Sequence, residues 1–185
     1  MKFFCAFIVC ALLCLDSTAF ADSLLAELSH RAETVEKLSG TFIQARQLTV
    51  LPLALESEGT FEFNRNEGLI WQTLKPNRQL LRITEQGVML EGSNTVLAGS
   101  AGLAPVLLAV FSGQLNQLEE LFTIQSSGDP QDWQLTMAPV SEATAAYIQA
   151  VSIRGAKNLE HLEIIEPGGD GTFIDFTVFS ETRSQ

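Results

Sequence analysis

The sequence predicts a mainly β fold with some helix (α+β), built on a curved antiparallel sheet with a covered interior. Three observations carry this. Strand-length pieces recur about every 10–12 residues between Gly, Asn and Pro signals. Several of these pieces are apolar on both faces, which a simple meander with one wet face would not be. Two segments, one at the start and one near the middle, break the strand rhythm with helical spacing.

The first stretch, "MKFFCAFIVCALLCLDSTAFA", has a basic start at Lys2, an apolar run from Phe3 to Leu15 and then small or polar residues. That is the layout of a secretory leader, and Ala19-Phe20-Ala21 places its cleavage before Asp22. The run falls well short of the roughly 20 residues a membrane-spanning helix needs. All three cysteines, Cys5, Cys10 and Cys14, lie in this leader, and none follows the small residue that lipid-modifying processing requires. The expected mature chain, 22–185, is therefore a single domain with no disulfide and no thiolate ligand. A net charge of −11 opposes phosphate backbones and anionic headgroups alike, so nucleic acid is a poor partner.

Within that domain, "SLLAELSHRAETVEKL" (23–38) places Leu24, Leu28, Val35 and Leu38 near one side, predicting an amphipathic helix closed by Ser39-Gly40. Strands follow at "TFIQARQLTV", "EGTFEFN", "GLIWQTL", "RQLLRIT" and "GVMLE". The segment 97–122 then brings small residues, Pro105 and an apolar cluster of Leu107, Leu108, Val110 and Phe111, which fits a short helix with Pro105 in its first turn. A polar helical piece over 114–121 comes next. Strands resume at "FTIQSS", "WQLTMAP" and "YIQAVSIRG", and the chain closes with a hairpin whose turn is Pro167-Gly168-Gly169-Asp170-Gly171. In 69–74, Leu69 and Trp71 point one way while Ile70 and Leu74 point the other, so both faces of the sheet call for cover.

Catalytic patterns are weak. Gly99-Ser100-Ala101-Gly102 lacks the glycine that a nucleophile elbow needs two positions before its serine. His30 and His161 read as surface residues, and Glu56, Glu58 and Glu62 as a solvated strand face. The 166–171 turn offers only two carboxylates, too few for a calcium loop. No phosphate loop or dinucleotide fingerprint is present, so neither cofactor nor metal is expected.

One residue stands out. Strand parity places Arg65 on the face of Phe61 and Phe63, at the end of an apolar row. "FNRNEGLIWQTLKP" resembles the core motif of the LolA-type outer-membrane lipoprotein carrier family: an arginine at a strand end, Trp71 six residues later and Pro76 five beyond that. "LSGTFIQ" with Phe42 and Gln44, the strand-turn-strand "RQLLRITEQGVML", and a Pro-x-Leu-Leu piece at Pro105, Leu107 and Leu108 match in order.

The resemblance implies an unclosed antiparallel β-barrel with helices as a lid over an apolar cavity. It implies a periplasmic shuttle, monomeric, that takes lipid-modified protein or another lipidic cargo from an inner-membrane donor to an outer-membrane acceptor. Phe42, Phe61, Phe63 and Leu69 would line the cavity with Trp71, Leu81 and Ile83, under a lid carrying Leu107, Leu108 and Phe111. Arg65 would latch the closed lid, with backbone carbonyls around residues 98–104 as its expected partners.

Without the resemblance, Arg65 reads as a strand-end side chain reaching water along Phe63, and the apolar residues as ordinary core. The chain departs from the family pattern at Asn66, where proline is common, and in ending six residues after Phe179, where a further strand is expected. Those departures fit a shorter subgroup linked to lipid or aryl-polyene export. The competing readings are an envelope interaction module of the same fold that carries no lipid, and a cryptic hydrolase.

Overall fold

The computed structural model describes residues 17–93 and 103–184, with side chains from Ser23 and from Ala104 onward in the two stretches. The expected leader lies almost wholly outside them. The first helix, α1, spans Ser17–Glu33. Five strands follow: β1 (Val35–Gln47), β2 (Leu55–Asn64), β3 (Gly68–Lys75), β4 (Gln79–Thr84) and β5 (Gly87–Leu90). Next come helix α2 (Leu103–Ser112) and a 3-10 turn, Leu115–Glu120. The remainder is β6 (Phe122–Asp129), β7 (Asp132–Pro139), a short helix α3 (Glu142–Ala145), β8 (Ala150–Gly155), β9 (Leu159–Ile165) and β10 (Gly171–Arg183).

The ten strands among the described residues join one sheet in the order β5-β4-β3-β2-β1-β10-β9-β8-β7-β6. Each described pairing is antiparallel. The first and last strands therefore sit together in the middle. The two edges, β5 and β6, are consecutive in the chain, and the connection between them carries α2 and the 3-10 turn. The sheet is open rather than closed, and its curved inner face collects the core.

Register keeps the apolar side chains on that face. Leu135, Ile153, Leu162 and Ile174 form one cross-strand row over β7, β8, β9 and β10, all fully buried. On the other half, Phe61 pairs with Trp71, Trp71 with Leu81, Phe63 with Leu69 and Leu69 with Ile83. Between β1 and β2 the rings are seated reciprocally: Phe42 faces Gly59, and Phe61 faces Gly40. A Cβ on Gly59 would stand 2.8 Å from the Phe42 ring and run into the Gln72 carbonyl. One on Gly40 would come within 2.7 Å of Phe61 and strike the Thr177 carbonyl. The glycines leave room for each ring to lie over the neighbouring strand.

The structure corrects the sequence reading at four places. The helix expected over 23–38 ends at Glu33, and 35–38 is already strand. A register shift between Val35 and Lys37 puts Val35 and Leu38, three residues apart, on the same buried side, which imitates helical spacing. Gly40 is thus a ring seat inside β1 rather than a helix stop. Among the described residues nothing covers the outer face: Ile43 is exposed, Leu74 borders on it, and Ile70 lies half-buried between Glu62 and Arg82 in register. Residues 48–50 form a loop instead of extending β1. Finally, β8 begins at Ala150 because Ser141 caps the short α3, its hydroxyl accepting from the Thr144 amide at 3.2 Å.

Gly59→Ala tests the ring seating. Because the new methyl meets backbone as well as the Phe42 ring, the substitution should destabilise the fold by about 1–3 kcal/mol, read from the urea midpoint. An unchanged midpoint would mean that the seat yields freely.

Candidate functional site

α2 opens with Leu103 and Ala104 and carries Pro105 in its first turn, where the missing amide costs no helix hydrogen bond. It is almost wholly apolar, "LAPVLLAVFS", and packs against β4, β5 and α1. Val106, Leu107 and Phe111 are buried beneath it, while Leu108 is only partly covered.

Between the first half of α2 and the sheet lies a cavity of about 340 Å³. Its apolar wall comes from Trp71, Leu81, Ile83 and Val88 on the strands and from Ala104 and Leu107 on α2. The exposed residues Pro76, Asn77 and Gln79 also line it, which puts its opening at the β3–β4 turn. The residues named from sequence therefore divide. Trp71, Leu81, Ile83 and Leu107 meet at the cavity. Phe42, Phe61, Phe63 and Leu69 are buried but do not line it.

Those aromatics instead make a floor beneath the second half of α2. Phe42 stacks on Trp71 with ring centroids 3.8 Å apart. Phe111 reaches Phe61 at 5.2 Å, Phe63 at 6.0 Å and Phe176 at 5.8 Å. Each such ring pair adds roughly 0.5–1.5 kcal/mol beyond its area. Phe176, the hub opposite Phe111, was not singled out in the sequence. Its place is set by the β1–β10 register, which pairs it with Phe42. The far half of the sheet is filled by α1, leaving a void of only about 60 Å³ beside Phe111, Trp133 and Leu135.

Arg65 stands at the end away from the opening, in the turn after β2. Its Nε donates to the Val35 carbonyl at 3.0 Å, Nη1 to Ser112 at 3.0 Å, and Nη2 to Ala32 and Val35, both at 2.8 Å. Its backbone amide donates to Glu36 at 3.0 Å. The carbonyls expected to receive it, around 98–104, are not those observed, and 98–102 fall outside the described residues. Ala32 lies in the last turn of α1 and Ser112 is the last residue of α2. These are positions where a helix has unsatisfied carbonyls and a partial negative charge. A planar guanidinium has five donors in a fixed fork and makes four contacts to three carbonyls here, one more than an ammonium's three N–H groups could make.

Gly113 makes this junction possible. It sits at φ +80, and a Cβ there would stand 2.6 Å from the Ser29 carbonyl and the Glu33 amide of α1. Arg183 completes the knot from β10, donating to the Arg31 carbonyl at 2.7 Å and to Thr34 Oγ1 at 2.6 Å. Arg31 in turn donates to the Pro130 and Ala156 carbonyls. Sequence reading missed Arg31, Arg183 and Gly113, because their partners lie far along the chain and no local pattern marks them.

The remaining polar candidates make no comparable site. His30 is exposed, and His161 pairs with Asp175 at 2.7 Å across β9 and β10 on the outer face. Glu58 forms a surface ion pair with Lys75, which holds that ammonium above its usual pKa. In the 166–170 turn, Glu166 receives Arg46, and Asp170 receives the Thr49 amide and hydroxyl. The Thr49 hydrogen bonds hold the Asp170 carboxyl below its usual range. Among the described residues no group of three His, Cys, Asp or Glu is placed to hold a metal. Ser100 lies outside those residues.

Comparison with known proteins gives a coherent result. A family profile described as outer membrane lipoprotein carrier protein LolA-like matches residues 18–171. No curated protein matches the sequence. Among solved structures the chain is similar to MucB, with TM-score 0.53 and 14% identity over 91% of this chain. It spans 62% of that longer chain. It is also similar to the LolA superfamily protein NE2245 from Nitrosomonas europaea, with TM-score 0.47 and 10% identity over 89% of this chain and 94% of that one. At these identities the MucB likeness speaks for the fold alone.

Replacing Arg65 with Met would strand the Ala32, Val35 and Ser112 carbonyls. The expected loss is about 1–3 kcal/mol, measured by urea unfolding, with Arg65→Lys recovering only part of it. Wild-type stability in Arg65→Met would mean that the fork is idle.

Proposed function

The chain belongs to the LolA-like family of outer membrane lipoprotein carrier proteins, and on that premise we propose that it is a periplasmic carrier of acylated cargo, held in the cavity under α2. The observation that carries this reading is the pairing of an apolar, rim-opening cavity with a helix pinned at its far end. The family is one of carriers and binding proteins rather than enzymes. A secretory leader cleaved before Asp22 would deliver the chain to the periplasm, where the cargo would pass between an inner-membrane donor and an outer-membrane acceptor.

The energetics favour a closed resting state. Burying a methylene is worth about 0.8 kcal/mol, so one acyl chain of about 16 carbons offers roughly 12 kcal/mol gross. A preformed pocket for several such chains would bind near the ceiling of non-covalent affinity and would not release them. The resting cavity, about 340 Å³, is instead at the lower end of the range of ordinary ligand pockets, roughly 300–1,000 Å³. Long chains must displace Leu107 and its neighbours, and the work of moving α2 lowers the apparent affinity. Arg65 sets that work. By holding the end of α2 against α1, it favours the closed form and makes the first half of the helix the part that swings.

Native mass spectrometry of the protein recovered from periplasm tests the reading. Lipid adducts should be present and should disappear in Trp71→Glu, whose carboxylate would face the cavity. A clean apo mass with an assembled protein partner would instead favour the interaction module. In Arg65→Leu, loading should persist while release slows by roughly tenfold or more, the equivalent of about 1.4 kcal/mol less bias toward closure. Release at the wild-type rate would refute the role given to Arg65.

A further inference from the structure

The cavity opens beside a surface loop that none of the foregoing uses. Residues 48–54, between β1 and β2, read "LTVLPLA", and β2 begins with Leu55. Val50 is 84% exposed and Leu53 78%, with Leu51 and Leu55 also exposed. No charged residue occurs from Gln47 to Leu55, in a chain of net −11. The loop is nonetheless ordered at its base. Thr49 donates from both its amide and its hydroxyl to Asp170 Oδ1, at 2.8 and 2.9 Å, and the Leu51 amide donates to the Leu48 carbonyl at 3.0 Å. The fold therefore holds a cluster of aliphatic side chains out into solvent.

From this geometry we propose that the 48–55 loop is a membrane-docking tip, whose aliphatic side chains enter the headgroup–acyl boundary of a lipid bilayer and set the cavity mouth against it. The proposal rests on the carrier reading above and adds the partner to it. The tip and the mouth share one end of the sheet. Gln44 and Ser57, on the two strands that carry the loop, line the cavity together with Pro76 and Asn77. An apolar chain leaving a bilayer at the tip would thus meet the opening with little exposure to water.

The chemistry favours hydrocarbon over a protein pocket. Protein hot spots draw on Trp, Tyr and Arg, whereas this tip has only Val, Leu, Pro and Ala, and the one hydroxyl is already used on Asp170. Hydrocarbon needs no directional partners, and shallow insertion leaves the loop backbone at headgroup depth, where water can satisfy it. Headgroup charge does not draw the tip in. Arg46 and Lys75 are paired with Glu166 and Glu58, and Asp170 under Thr49 and Glu56 after Leu55 keep the base acidic, so insertion rests on the aliphatic side chains alone.

Flotation provides the test. The chain is exported with its leader, its N-terminus is read by intact mass, and wild type and Val50→Ser/Leu53→Ser are compared in the same processed form. Each is floated with vesicles of phosphatidylethanolamine and phosphatidylglycerol. Wild type should rise with the vesicles, and the double variant roughly tenfold less, with unchanged melting and unchanged uptake of a soluble fluorescent fatty acid. Equal flotation of the two, or no flotation of wild type, overturns the proposal. A wild-type dimer lost in the double variant, without flotation, assigns the tip to a second copy and overturns it too. Flotation that depends on Val50 and Leu53 in a protein taking up no fatty acid upholds the tip and defeats the carrier reading instead.

Discussion

The constraint on which the rest of this molecule depends is an apolar sheet face that does not close on itself. Ten strands in meander order leave β5 and β6 as edges, and burial requires something to lie across the space between them. Because these edges are consecutive in the chain, their connection has to supply part of the cover. That explains why α2 is apolar almost all round, and why its side chains Val106, Leu107 and Phe111 are as buried as any strand residue. A cover that is also a core helix is stable when the cavity is empty, and on the proposed function it moves when cargo fills the cavity.

Arg65 follows from the same constraint. Two helices end at one corner of the open sheet, each with carbonyls left over, and a buried carbonyl without a partner costs about 1–3 kcal/mol. A single guanidinium at the end of β2 answers for both helices at once, which couples the end of α2 to the end of α1 and to the β2–β3 turn. Gly113 permits the approach and Arg183 reinforces it from the last strand. The result is asymmetric. The far end of α2 is tied to rigid structure, while its first half borders a cavity and a mouth.

Much of this was legible in the sequence, and the exceptions have physical causes. Alternation showed the strands of Phe61 and Phe63, of Leu69 and Trp71, and of Leu81 and Ile83, because their inner face is apolar without interruption. The α1–β1 boundary was hidden, since a bulge gives Val35 and Leu38 the spacing of a helix. Arg65 was conspicuous as a charge in an apolar row, yet its partners could not be read, because Ala32 and Ser112 reach it only through tertiary packing. The cavity set divided for a related reason. Parity tells which face a side chain takes, and it cannot tell whether Phe111 has already filled the space before it, as it has over Phe61 and Phe63. The start of the exposed loop was read as strand because Leu48-Thr49-Val50 alternates apolar and polar directly after β1.

The central claim is that α2 pivots about the end held by Arg65, and amide hydrogen exchange with and without bound fatty acid tests it most directly. Loading should reduce protection of the Leu107 and Leu108 amides, which bond to the first-turn carbonyls of α2, while the amides from Val110 to Gly113 stay protected. Loss of protection beginning at the Ser112 end, with the first half unchanged, would contradict it.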